Sequence, residues 1–212
     1  MTIDLYRRGR VSLGNVNRMQ KLLKKLQSGQ KIVYGAIGGS ITQGAVASCA
    51  ECQYVERFAT FLSTHFSATV EVVNAGIGAS NSLFGAFRAE KDLLVHQPDL
   101  ITIEYAVNDS TNPDTEAAYE ALIRKCLSSN PDVAIILIFT MNRSGESKQH
   151  LQTPVGFHYQ LPMISYRDAV YPEIEQGVLT WGDISPDTVH PNDLGHGMIA
   201  DMLSMLTNET AD

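Results

Sequence analysis

Four short stretches of this chain carry groups suited to acyl-transfer chemistry. Ser40 stands in Gly38-Gly39-Ser40-Ile41-Thr42-Gln43-Gly44, a glycine-rich turn that can present a hydroxyl as a nucleophile. A serine hydroxyl is a weak nucleophile until an adjacent base takes its proton. His190 suits that task, because Asp187 precedes it in a stretch expected to be a loop before a helix. A carboxylate at that offset can hold one ring nitrogen protonated and leave the other as a base. An attacked ester carbonyl becomes an oxyanion and needs preset donors. Gly78, in Asn74-Ala75-Gly76-Ile77-Gly78, offers a backbone N–H that no side chain shields. Asn108, in Ala106-Val107-Asn108-Asp109, offers a side-chain amide, and the N–H of Ser40 itself is a further donor.

Singly, these residues have plain structural readings: a turn serine, a turn glycine, an Asx-turn asparagine. Their joint occurrence favours a catalytic set. Other chemistries fit less well. Gly39 and Gly44 have phosphate-loop spacing, but Ala45 stands where the lysine must be, and no GxGxxG occurs. His190 and His196, with Asp187 or Asp193, do not have a standard metal-ligand spacing. His196 falls inside an expected helix, where capping or solvation accounts for it. No metal and no cofactor is expected.

The elements that must position these groups follow from hydrophobic periodicity and turn signals. Helices are expected over 15–27 with Asn15 as N-cap, 52–66, 81–96, 116–128 and 191–206. Strands are expected over 31–37, 69–73, 100–104, 133–139 and 161–164. The polar stretch 141–160, carrying Pro154 and Gly156, reads as a long irregular loop. Strand and helix alternate, which implies a mostly parallel five-stranded sheet with helices on both faces. Ligands bind such sheets at the carboxyl ends of the strands, where Ser40, Gly78 and Asn108 fall. The chain reads as one domain over 1–212, with 1–30 as an N-terminal arm and helix leading into it.

At 212 residues, 44% apolar and 18% charged, the composition is that of a globular protein, and the formal charge of −7 argues against a nucleic-acid partner. Arg7, Arg8, Arg10, Lys21, Lys24 and Lys25 form the basic cluster, read as a solvated helix face. No apolar run approaches the roughly 20 residues of a transmembrane segment. The N-terminus lacks a signal-peptide core, so the expectation is a soluble, cytoplasmic protein. Cys49, Cys52 and Cys126 make no disulfide framework, and the lone CxxC of Cys49 and Cys52 reads as packing or chance.

Taken in order, the four blocks resemble the SGNH hydrolase superfamily, the GDSL-like lipases and acylhydrolases. The Ser, Gly, Asn and His of that name would here be Ser40, Gly78, Asn108 and His190, and the match spans about 31–206. Two further stretches, YQLPMISYRDA at 159–169 and VHPNDLGH at 189–196, are similar to bacterial members related to carbohydrate esterases. Gly39 replaces the family's aspartate before the nucleophile, and Ala106 replaces the glycine two residues before Asn108. The resemblance implies a flavodoxin-like three-layer α/β/α fold without a cofactor. It also implies a triad of Ser40, His190 and Asp187, with an oxyanion hole formed by Ser40, Gly78 and Asn108. The expected substrate is a small-molecule or carbohydrate ester, with O-deacetylation favoured. Tyr105, Arg143 and His158 are the candidate substrate contacts, because polar surroundings suit a sugar better than a long acyl chain. Rival readings are a lysophospholipase or thioesterase of the same fold, an idle ligand-binding domain, and a nucleotide-binding flavodoxin-like protein.

Overall fold

The computed structural model describes residues 2–211. Its chain order is α1 (Ile3–Gly9), β1 (Arg10–Ser12), α2 (Asn17–Gln27), β2 (Ile32–Gly38), α3 (Ser40–Gln43) and α4 (Tyr54–Phe66). Next come β3 (Val70–Gly76), α5 (Ser82–Asp92), β4 (Leu100–Glu104), α6 (Pro113–Ser129) and β5 (Ala134–Phe139). The order ends with α7 (Gln149–His158), β6 (Met163–Ser165), α8 (Tyr166–Glu175), α9 (Trp181–Ile184) and α10 (Asp193–Glu209).

The sheet order is β1-β6-β5-β4-β2-β3, parallel except for the edge strand β1, which pairs antiparallel with β6. The five parallel strands alone have the flavodoxin-like order. Their side chains alternate between two cores because a strand's pleat has period two. Ile32, Tyr34, Ala36, Ala134, Ile136 and Ile138 face one side, where α2, α4 and α10 pack. Ile37, Ile101, Ile103, Ile135, Leu137 and Phe139 face the other, against α5 and α6. Covered on both faces, β4 and β5 are buried throughout, which is why they read as unbroken apolar runs. From β2 the chain winds outward to β3, then crosses back past β2 to β4. That reversal opens a crevice at the carboxyl ends of β2 and β4.

Several expectations are corrected. The sheet has six strands, because three residues of the N-terminal arm add an edge strand too short to leave a periodic signal. The stretch read as a loop over 141–160 contains α7, with Pro154 inside the helix. The N-cap of α2 is Val16, and Asn15 instead accepts the Asn17 N–H through Oδ1 at 3.0 Å. Cys49 and Cys52 are joined in a disulfide, because a 3-10 turn at Ala50–Cys52 brings their Cα atoms to 5.1 Å. In the basic cluster, Arg8 pairs with Glu173, Arg10 with Glu209, Lys21 with Asp132 and Lys25 with Asp99, so much of that face is ion-paired. Among the described residues, no helix is long and apolar enough to cross a membrane.

Candidate active site

Ser40 opens α3 directly after β2 and Gly39, so its hydroxyl emerges at the carboxyl edge of the sheet. Two glycines make that tight exit feasible. A Cβ on Gly39 would lie 2.5 Å from Asn108 Oδ1, so only glycine lets the end of β4 close against the nucleophile turn. Gly44 ends α3 with φ at 92°, a left-handed conformation that favours glycine.

His190 comes from the far end of the chain, on the segment between α9 and α10. Its Nε2 lies 2.8 Å from Ser40 Oγ, and its Nδ1 lies 2.7 Å from Asp187 Oδ2. Asp187 Oδ1 accepts two further hydrogen bonds, from the N–H of Val189 at 2.8 Å and of His190 at 2.7 Å. Partial burial acts to raise the Asp187 pKa, but the Val189 N–H, the His190 ring and the His190 N–H outweigh it and hold the carboxyl at about 2. Asp187 is therefore a carboxylate at any ordinary pH. With it bonded to Nδ1, Nε2 is the ring nitrogen left to accept the Ser40 proton.

The base segment is fastened on several sides. Trp181 Nε1 donates to Asp187 O at 2.6 Å, and the Arg143 N–H donates to Thr188 O at 2.9 Å. Asn192 caps α10 through Oδ1, accepting from Leu194 and Gly195, while its Nδ2 donates to Asp183 O at 2.9 Å.

Beneath the nucleophile turn lies Glu104, fully buried at the end of β4. Thr140 Oγ1 donates to its Oε1 at 2.6 Å, and Thr42 Oγ1 lies 3.5 Å from its Oε2. Burial pushes its carboxyl up to about 7, against the opposing effect of the Thr140 bond.

Gly78 and Asn108 both border the nucleophile turn. A side chain built on Gly78 would meet Ser40 Cβ at 3.8 Å, and Asn108 packs against Gly39. Gly76 is the poorer donor candidate, because it packs against the back of α3, where a Cβ would lie 2.2 Å from the Gln43 nitrogen.

The remaining candidates divide. Arg143 is exposed, and its main chain touches the His190 segment. Tyr105 is not at the surface: it is fully buried below α5, where Gly85 makes room for its ring and Arg88 donates to its hydroxyl at 3.2 Å. His158 is also misplaced, because α7 runs back from the carboxyl end of β5 to the amino end of β6 and carries it to the opposite edge of the sheet. His196 is wholly buried rather than capping or solvated; its Nδ1 accepts the Tyr54 N–H at 3.3 Å. Among the described residues, no three metal-ligating side chains converge. A cavity of about 670 Å³ is lined by Lys148, His150, Phe157 and Arg167 among others, and Arg143 is not part of its lining. The Lys148 N–H donates to Ala106 O at 2.7 Å, tying this wall to the end of β4.

Sequence reasoning missed Gln43, Trp181 and Glu104. Gln43, one helical turn after Ser40, left a positional hint; the other two act through contacts that no local pattern signals.

A family model for GDSL-like lipases and acylhydrolases matches residues 36–198, most of the chain and every residue of the hydrogen-bonded set. The chain belongs to that family. Its GDSL-like membership places it among hydrolases acting on ester bonds. A solved two-domain esterase active on acetylated mannans, crystallised with mannopentaose, superposes with a TM-score of 0.94 at 33% identity. That match covers 97% of this chain and 56% of the other, so the chain spans little over half the length of that relative. An acetyl xylan esterase matches with a TM-score of 0.68 at 23% identity, covering 81% of this chain and 98% of its own. The acetylxylan esterase of Geobacillus stearothermophilus matches with a TM-score of 0.61 at 19% identity, covering 83% and 94%. These last two share the fold. No curated protein sequence matches the chain.

Proposed function

We propose that the protein is a serine esterase that removes acetyl groups from a carbohydrate through an acyl-enzyme on Ser40. One observation carries the chemistry: the unbroken hydrogen-bonded chain from Ser40 Oγ through the His190 ring to the Asp187 carboxylate. His190 Nε2 takes the hydroxyl proton as Oγ bonds to the ester carbonyl carbon. The resulting oxyanion is held by the N–H groups of Ser40 and Gly78 and by the amide of Asn108. The ester C–O bond then breaks, and the sugar hydroxyl leaves with the proton from His190. A water, deprotonated by His190, attacks the acyl carbon, and acetate leaves as Ser40 regains its proton. Asp187, ionised throughout, stabilises the imidazolium formed in each half.

The substrate class rests on one support: the relative of 33% identity acts on acetylated mannans.

The test is reaction with a fluorophosphonate, location of the adduct by mass spectrometry, and turnover on a panel of acetylated oligosaccharides, longer-chain esters and acyl thioesters. Labelling of Ser40 that disappears in Ser40→Ala is expected, with acetylated sugars preferred. An adduct on another residue would sink the mechanism; a preference for long acyl chains or thioesters would sink the substrate.

A further inference from the structure

Of the three donors proposed for the oxyanion, Gly78 is already engaged. Its N–H donates to Gln43 Oε1 at 2.9 Å. Among the described residues, no protein acceptor lies on the Ser40 N–H or on the Asn108 side-chain amide. Because an N–H can bond only the oxygen end of an amide, the contact also fixes which way Gln43 points.

Gln43 closes α3 one turn after Ser40, and its side chain reaches the loop that follows β3. Its main chain is anchored: its N–H donates to Gly39 O at 3.0 Å, and a Cβ on Gly76 would lie 2.2 Å from its nitrogen. Its side chain is exposed, and Gly78 is its one hydrogen-bond partner among the described residues. A side chain built on Gly78 would meet Gln43 Oε1 at 3.0 Å and Ser40 Cβ at 3.8 Å, so this neutral oxygen and the nucleophile's side chain both border Gly78.

Resting on the esterase reading above, we infer that Gln43 is the resting occupant of the oxyanion site, its carbonyl holding the Gly78 N–H until the oxyanion displaces it. The occupant is a neutral acceptor on a freely rotating side chain. An ester carbonyl is no better an acceptor than this amide and gains little by evicting it. The oxyanion of the transition state makes a charge-assisted bond about twice as strong and does evict it. Gln43 thus withholds a donor from the bound ester and yields it to the transition state. Such an interaction weakens substrate binding without slowing the chemical step.

The test is Gln43→Ala, assayed on p-nitrophenyl acetate. One exposed, neutral hydrogen bond lost as a competitor should raise kcat/KM about 2- to 10-fold. The gain should appear as a lower KM, with kcat unchanged or reduced. Fluorophosphonate labelling of Ser40 should accelerate by a similar factor. A residue that merely supports the loop would instead lower kcat/KM, and that result, or no change in either readout, overturns the inference. Gln43→Glu supplies a second measurement should the alanine variant fail to fold. Its carboxylate should hold the Gly78 N–H more tightly and repel the oxyanion, costing more than roughly 10-fold in kcat/KM at neutral pH. The deficit relative to the parent should shrink on acidification; a deficit independent of pH counts against the inference. If the parent is not labelled at Ser40 at all, the esterase reading has failed and takes the inference with it. If Ser40 is labelled but the Gln43 variants do not follow, only the inference falls.

Discussion

The nucleophile turn and the base segment meet at one hydrogen bond but are held in place by different physics. Around Ser40 the chain is fixed by packing. Gly39 lies under Asn108, Gly76 lies against α3, and Glu104 fills the space beneath. Around His190 it is fixed by directed hydrogen bonds on a surface that water reaches, with side chains of His190 and Asp187 exposed by 28% and 44%. Close-packed groups have no room to yield, so a small change in volume is felt at once. Hydrogen-bonded groups near solvent can lose a bond, let water replace it and keep the fold. Damage at the first region should therefore register in stability and activity together, and damage at the second mainly in activity.

The largest expected effect tests whether the shared bond joins one catalytic unit. Ser40→Ala should lower turnover by roughly 10⁶-fold. Its thermal unfolding should stay within about 0.5 kcal/mol of the parent, since the hydroxyl is not part of the packing. Residual activity within tenfold of the parent would break the assignment. Next comes Asp187→Asn, which keeps the shape of the base segment but loses the carboxylate that sets the His190 tautomer. A loss of about 10⁴-fold in kcat with an unchanged melting temperature is expected; a matching loss of stability would erase the contrast between the two regions.

Gly39→Ala probes the packed side. A Cβ there cannot avoid Asn108, so destabilisation of about 1–3 kcal/mol should accompany a fall in activity. Activity lost at full stability would mean that the turn is not set by packing. The last effect appears only in acid and concerns His196, which joins the two regions through the Ala45 carbonyl at 3.4 Å and the first turn of α10. Burial pushes its pKa down to about 4 from 6.5, against the pull of the Ala45 carbonyl and Asp193. Below about 6.5 the unfolded chain takes up a proton that the folded ring refuses until about 4. Stability is therefore lost as pH falls through that window, by on the order of 3 kcal/mol in full. Melting curves of His196→Gln should fall less steeply than the parent's between pH 6.5 and 4. Parallel slopes would assign the acid sensitivity elsewhere.

The same contrast explains what could be read from the sequence. Strands β2, β4 and β5 were legible because burial on both faces demands continuous apolar runs. Ser40 and Asn108 stood out for the same reason: each follows one of these strands. Edge strand β1 was not legible, since its three residues owe their conformation to β6. Nor was α7, whose Pro154 and Gly156 look like helix breakers. Gly156 is there because a Cβ would lie 2.2 Å from Met163 Sδ, a demand set by the tertiary structure. Tyr105 was misjudged because position at a strand end does not say whether a side chain turns outward or under a helix. Gln43 meets Gly78 only once β2 and β3 have paired, and Trp181 bonds a main-chain carbonyl, a group every residue carries, so their residue types alone carried no signal.

Trp181 has a practical consequence of its own. It is the chain's single tryptophan, and its indole N–H bonds the main-chain carbonyl of Asp187. The protein thus carries a built-in optical probe at one address. Its emission reports the local polarity and hydrogen bonding of the base segment and of no other tryptophan site. Displacement of that segment by a bound glycan, or its loosening before the rest of the fold melts, can be followed in the native chain without a label.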